Sequence, residues 1–141
     1  MSEESQLIDW LSQFQSTDVN GVSVLTYGVT GIKDSNNNFT IKEVRVVGHT
    51  GCAGVQACYN VVHDLPSLPT DSVLWSWLGP LRAHAYAHKN ETLDWLTKEN
   101  VRIQVRNVKA MLLSLGRAEV EVRGYLYDIE KREFYPVPAA N

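Results

Sequence analysis

Two side chains that could bind a metal ion lie close together within a glycine-rich segment. His49 and Cys52 form an H-x-x-C pair and offer an imidazole nitrogen and a thiolate sulfur, the two ligand types that zinc favours. Gly48, Gly51 and Gly54 allow the backbone to turn tightly enough to aim both side chains at one point. Because zinc needs at least three protein ligands, the isolated pair predicts either a weak zinc site or a histidine bonded to backbone beside a packed cysteine.

Other residues of metal-binding type have simpler structural interpretations. Cys58 lies more than one turn into the following predicted helix, so we interpret it as a core thiol rather than a replacement ligand. His84 and His88 share a helix face at a spacing that can hold zinc, but without a nearby acidic or cysteine ligand an exposed pair is favoured. His63, beside Asp64, is most simply a loop residue.

A strand before the pair and a helix after it must position these ligands. Residues 40–47 are rich in β-branched side chains and end in consecutive valines, which predicts a strand buried in a mostly parallel sheet. A helix is predicted for residues 55–62. Upstream, residues 19–30 show helical spacing with Gly31 as a stop, and residues 34–38 form a polar loop.

The remaining pattern describes an α/β layer fold, whose ligands should gather beyond the carboxyl ends of the strands. The predicted helices are an amphipathic helix over 4–14, a helix from Thr70 or Asp71 that continues through Pro80 with a kink towards His88, a helical turn from Asn90 and a long helix ended by Gly116. A strand is predicted over 120–128, and a hairpin over 127–137 turns around Glu130 and Lys131.

Length and composition bound the class of protein. A chain of 141 residues that is 44% hydrophobic and 21% charged can bury the core of one domain. A net charge of -3 argues against a nucleic-acid partner. The acidic N-terminus resembles no secretory or mitochondrial signal and no stretch is long enough to span a bilayer, so we expect a cytoplasmic protein without a membrane partner. Two cysteines six positions apart predict reduced thiols rather than a disulfide framework.

The metal-ligand pair also carries a resemblance to a known family. Residues 46–55, Val-Val-Gly-His-Thr-Gly-Cys-Ala-Gly-Val, are similar to the second zinc motif of β-class carbonic anhydrases, in which a buried strand ends in G-H-x-x-C-G-G. Residues 20–29 resemble the helix before that strand, 100–108 the family's long helix and 122–128 its last strand. The resemblance covers about residues 19–129.

This resemblance implies a single domain over residues 1–141. Its expected fold is α/β, a mostly parallel sheet flanked by helices and missing the family's first strand. We expect a docking helix over 1–15, a family-like core over 19–129 and a C-terminal hairpin and tail over 130–141. Since family members assemble as dimers and larger oligomers, the resemblance also implies a homo-oligomer.

The resemblance further implies zinc and the hydration of carbon dioxide to bicarbonate, but the sequence departs from the family pattern. The family's first strand carries C-x-D-x-R, whose cysteine is the third zinc ligand and whose Asp-Arg pair controls the fourth position. This sequence has no cysteine before Cys52 and no such motif, and Ala53 replaces the first glycine after the ligand cysteine.

Three functional hypotheses follow from the retained pair and the missing motif. The first is a non-catalytic subunit, a pseudoenzyme with an assembly or scaffolding role. The second is a zinc-dependent carbonic anhydrase whose missing ligands come from another chain, such as a full-length β-carbonic anhydrase or a second copy. The third is a structural zinc ion shared across a dimer, with weak or shared metal binding in either of the last two cases.

Overall fold

The structure is a computed structural model that describes residues 26–33, 39–65, 75–76 and 78–139. The predicted helices over 4–14 and at Thr70 or Asp71 begin outside the described residues. In chain order the described strands and helices are β1 (Thr26–Lys33), β2 (Phe39–His49), α1 (Ala53–Val62), α2 (Gly79–Ala87), α3 (Leu93–Ser114), β3 (Glu121–Asp128) and β4 (Glu133–Val137).

The described strands form one sheet in the order β1-β2-β3-β4. Only β2 and β3 run parallel, because the helices between them provide the crossover that parallel strands need. The β1-β2 and β3-β4 pairs are joined by short connections and run antiparallel. The α/β fold is therefore confirmed, but the description of the sheet as mostly parallel is wrong for the described strands, which form a mixed sheet.

The prediction of a helix over residues 19–30 is wrong for its described part, because residues 26–33 form β1. Thr26, Tyr27 and Thr30 suit a pleated strand, and antiparallel pairing with β2 stabilises that conformation over its whole length. Gly31 ends no helix; it lies where the register with β2 shifts by a bulge. Because β1 pairs with one edge of β2 and β3 with the other, β2 is an interior strand.

The helix α3 covers one face of β2 and β3 and holds the carboxyl end of β2 in place. A Cβ atom added to Gly48 would lie 2.6 Å from Val101 Cγ2, and one added to Gly124 would lie 2.7 Å from Val101 Cγ1. Both glycines therefore permit the close approach of α3 to the sheet. The core between α3 and the sheet consists of Ile41, Val44, Val46, Val101, Val108, Leu112, Val120, Leu126 and Val137.

A second core fixes the helix that follows the H-x-x-C pair. Its buried members come from α1, α2, α3 and the residues that precede these helices: Cys52, Val55, Cys58, Leu78, Leu81, Ala85 and Leu96. The predicted kink at Pro80 is wrong, because Leu78 caps α2 and Pro80 lies in its first turn, where proline is well tolerated.

The helix α3 runs without interruption from Thr92, whose Oγ1 accepts the Trp95 N–H at 3.1 Å. The predicted stop at Gly116 is confirmed by its φ of 70°. The predicted hairpin is also confirmed, with β3 and β4 joined around Glu130 and Lys131. Within the described part of the chain, no helix has the length and apolar character needed to cross a bilayer.

Candidate metal-binding site

The structure brings His49 and Cys52 together at the carboxyl end of β2. His49 is the last residue of that strand and Cys52 is the N-cap of α1. The turn between them depends on Gly51, whose φ of 68° favours glycine. The two side chains hydrogen-bond to each other, so they converge as the spacing predicts.

A backbone carbonyl orients the His49 ring. Nδ1 lies 2.9 Å from the Thr50 carbonyl oxygen. Because a carbonyl oxygen can only accept, Nδ1 carries the ring proton and Nε2 carries the lone pair of the neutral imidazole. Zinc-bound histidines are oriented in this way by a hydrogen bond from their other nitrogen. The ring is therefore set to present Nε2 as a ligand.

The Cys52 thiol ionises more readily than an ordinary cysteine. The residue is only 4% exposed, and burial acts to raise the pKa of its thiol. A His49 ring protonated on both nitrogens, which can donate to the sulfur, and the backbone N–H groups of Val55 and Gly54 outweigh burial and lower that pKa, because each stabilises the thiolate. The positive end of the α1 helix dipole also lowers the pKa of a thiol at this position. Cys52 therefore resembles a metal-ligating thiolate more than an inert core thiol.

The three glycines around the pair have different roles. Gly51 supplies the turn, as predicted. Gly48 instead makes room for Val101 of α3, and Gly54 is a buried residue of the first turn of α1 whose N–H faces the Cys52 sulfur. The prediction that all three bend the backbone is wrong for Gly48 and Gly54, because one lies at a close contact and the other in a regular helix.

Thr50 braces the loop against the neighbouring hairpin, a role that the sequence analysis missed. Its N–H donates to the Tyr127 carbonyl at 3.0 Å, and its Oγ1 accepts the Ile129 N–H at 3.0 Å. The parallel pairing of β2 with β3 ends at His49 and Tyr127. A threonine between the two ligands is the only local signal of this contact, because its partners come almost 80 residues later in the sequence.

The structure does not add Cys58 to the ligand pair. Cys58 is fully buried, and burial raises the pKa of its thiol to about 12. It is therefore a protonated core thiol at neutral pH, consistent with the interpretation from the sequence. His63 is exposed at the end of α1, where its ring lies 4.3 Å from that of Tyr59.

The histidine pair on α2 is not simply exposed. His88 is exposed, but the His84 side chain is only 26% exposed and its Nε2 lies 3.4 Å from Glu99 Oε1. Sequence reasoning missed this acidic neighbour because Glu99 belongs to α3. The described residues nevertheless contain no group of three or more histidine, cysteine, aspartate or glutamate side chains able to hold a metal ion.

The described residues therefore supply only part of the zinc site that the resemblance implies. His49 and Cys52 have the right donor atoms, the right tautomer and a suitably acidic thiol for two positions of a tetrahedral site. They do not supply the third protein ligand that a catalytic zinc requires. Within the described part of the chain, the donor set fits a half-site and not a complete metal centre.

A parallel strand that ends in a histidine-cysteine half-site, covered on one face by a long helix, defines an α/β protein of the carbonic-anhydrase type. The family model described as carbonic anhydrase matches residues 12–134, and the chain belongs to this family. The resemblance to the β-class enzymes is thereby confirmed.

A solved structure supports the same fold. The crystal structure of the β-carbonic anhydrase CafA of the fungal pathogen Aspergillus fumigatus matches with a TM-score of 0.56 and 23% sequence identity. The match covers 72% of this chain and 50% of that chain, so this chain spans about half the length of its structural neighbour. No curated protein sequence matches the chain.

Proposed function

We propose that this chain is a non-catalytic member of the carbonic anhydrase family that keeps half of a zinc site and serves in an assembly. The observation that carries the proposal is the two-residue donor set, His49 and Cys52, at the end of β2. Hydration of carbon dioxide needs a firmly held metal with an open coordination position, and two ligands provide neither. A homo-oligomer in the cytoplasm is part of the same proposal.

The oriented ligands favour one alternative, a zinc ion completed by another chain. A pair retained only for packing has no need of a histidine ring oriented by a backbone carbonyl or of a thiol whose pKa is lowered. The missing ligands would then come from a second polypeptide, for example a full-length β-carbonic anhydrase. The result would be an enzyme only as a complex.

A structural zinc shared by two copies is less favoured by the same site. Cys52 is only 4% exposed, so the thiols of two copies could meet at one ion only if both loops rearranged. The two hydrogen bonds between Thr50 and the hairpin oppose such a rearrangement. A metal ligand supplied by a different chain therefore fits this loop better than a zinc ion shared symmetrically by two copies.

Zinc stoichiometry and hydration activity together test the proposal. We expect the purified chain, dialysed against zinc, to retain well under one zinc per chain and to hydrate carbon dioxide no faster than His49→Ala in stopped-flow assays. Mutation of a residue that hydrogen-bonds to a metal ligand typically weakens metal binding by about 10- to 100-fold, and absence of a ligand itself should weaken it at least as much. His63→Ala is the matched control, because His63 is an exposed histidine outside the pair.

One zinc per chain with activity well above that of His49→Ala would overturn the non-catalytic proposal. Zinc bound at one ion per two chains, lost in Cys52→Ser, would favour the shared structural site. Activity that appears only after mixing with a full-length β-carbonic anhydrase inactivated at its own zinc ligands would favour the enzyme completed by another chain.

A further inference from the structure

A cluster around a buried carboxylate links α2, α3 and the residue that follows β4. Glu99 of α3 is only 6% exposed. Arg102 Nη1 donates to its Oε2 at 3.1 Å, and Arg106 Nη2 donates to its Oε1 at 3.4 Å. Arg102 Nε also donates to the Pro138 carbonyl at 3.2 Å. Glu99 therefore lies at the centre of a cluster that holds three parts of the fold together.

His84 completes this cluster from α2. Its ring lies parallel to that of Trp95, with a 4° interplanar angle and centroids 5.9 Å apart, and its centroid is 4.4 Å from that of His88. The Nε2 atom is buried and 3.4 Å from Glu99 Oε1, at ion-pair distance but without a hydrogen bond. The position of α2 thus depends on a histidine held against a carboxylate that two guanidinium groups already neutralise.

The charges around His84 oppose its protonation. Glu99 contributes one negative charge, while Arg102 and Arg106 contribute two positive charges, so a proton on His84 raises an existing excess of positive charge. Burial, His88 and Arg106 lower the pKa of His84 from its ordinary value of 6.5, although Glu99 acts to raise it. Further titratable groups, Tyr59, His63, Lys89 and Glu91, line a small cleft bordered by His88 and Trp95. In addition, α2 carries Arg82 and packs in the same core as Cys58.

We propose that His84 is an acid-sensitive latch between α2 and α3: neutral His84 fits the cluster around Glu99, and protonated His84 loosens α2. A base that is harder to protonate in the folded state contributes stability that is complete above its unfolded pKa of 6.5 and is lost as the pH falls below that value. Leu81 and Ala85 of α2 pack in the core that contains Cys52 and Cys58. Acid loosening of α2 therefore uncovers the core beside the candidate metal-binding site.

Hydrogen-deuterium exchange of α2 tests the latch. Between about pH 7.5 and about pH 5.5, we expect the protection factors of α2 amides, corrected for intrinsic exchange, to fall by about two- to fivefold, the scale of one partly exposed charge interaction. His84→Gln should abolish this dependence. His63→Gln is the matched control, because His63 is an exposed histidine at the end of a different helix, α1; this variant should keep the pH dependence.

Arg106→Gln provides a second test that does not depend on replacing His84. Arg106 has a 57% exposed side chain, so its loss should leave the fold intact. Removing its positive charge makes protonation of His84 less unfavourable, so the acid-induced loss of protection should shrink and the NMR titration midpoint of the His84 ring should rise. Unchanged exchange of α2 across this pH range, equal effects of the His84 and His63 variants, or a His84 midpoint at or above 6.5 would overturn the latch.

Discussion

At the scale of single residues, the two cysteines differ because their surroundings differ. Both are buried in the same core and six positions apart. Cys52 lies at the start of α1, where His49 and two backbone N–H groups lower its pKa despite burial. Cys58 lies within α1, where burial dominates and raises its pKa to about 12. Only the first thiol is suited to bind a metal.

The raised pKa of Cys58 predicts a loss of stability in alkali. A thiol ionises near pH 9.0 in the unfolded chain but near 12 in the folded chain, so the unfolded state releases a proton first. Between these values the free energy of unfolding should fall by up to about 1.4 kcal/mol per pH unit from this thiol alone. Urea denaturation from about pH 8 to about pH 10.5 measures this slope.

Cys58→Ala should flatten that alkaline slope even if it lowers stability at every pH. Cys52→Ala is the control and should keep the slope, because the pKa of Cys52 is lowered rather than raised. An equal slope in wild type and Cys58→Ala would show that Cys58 is not held as a protonated thiol.

At the scale of elements, the position of the candidate site depends on how closely α3 lies to the sheet. Glycines on β2 and β3 leave space for the same side chain, Val101, which is fully buried. Larger residues at these positions would push α3 away from the sheet. The carboxyl end of β2, and with it His49, depends on this contact.

Gly124→Ala should therefore destabilise the protein by about 1 to 3 kcal/mol, the usual cost of overpacking. The added methyl group would lie 2.7 Å from Val101 Cγ1, 3.1 Å from Val105 Cγ2 and 3.3 Å from the Val137 carbonyl oxygen. Chemical denaturation measures the loss. Gly79→Ala is the matched control, because its new methyl group meets only the flexible end of Arg82 at 3.7 Å. A Gly124 variant as stable as the Gly79 variant would contradict this account.

At the scale of the whole molecule, the hairpin beside the candidate site has an apolar surface. Phe134 is 61% exposed and Ile129 is 50% exposed. Phe134 packs against Tyr127, which pairs with His49 across β2 and β3. Exposed large apolar side chains that lie together are typical of a surface that another chain covers.

We expect the chain to self-associate at micromolar concentration and Phe134→Ser to weaken that association by about 30-fold, equivalent to the roughly 2 kcal/mol of an interface hot spot. Sedimentation velocity measures the assembly. Leu113→Ser is the matched control, because Leu113 is 68% exposed at the other end of the α3-β3 unit and should leave the assembly unchanged. A monodisperse wild-type monomer, or an equal effect of both variants, would contradict the prediction.

Features that depend on neighbours in the sequence were predictable. The H-x-x-C pair with its glycines and the valine-rich strand before it indicated both the location of the candidate site and the family. The Gly116 stop and the hairpin at Glu130 and Lys131 were predicted for the same reason, since helix ends and tight turns are set by a few consecutive residues.

Features that depend on partners distant in the sequence were decided only by the tertiary structure. Residues 19–30 carry a helical spacing, but pairing with β2 makes the described part of this segment a strand, because strand formation depends on the cross-strand neighbour. The sequence predicts that Gly48 is a loop residue, but its role depends on contact with Val101. It likewise predicts that His84 is exposed, but the fold brings Glu99 beside it. Residue types and local spacing determined which atoms could bind zinc, whereas the tertiary structure determined that no three of them come together among the described residues.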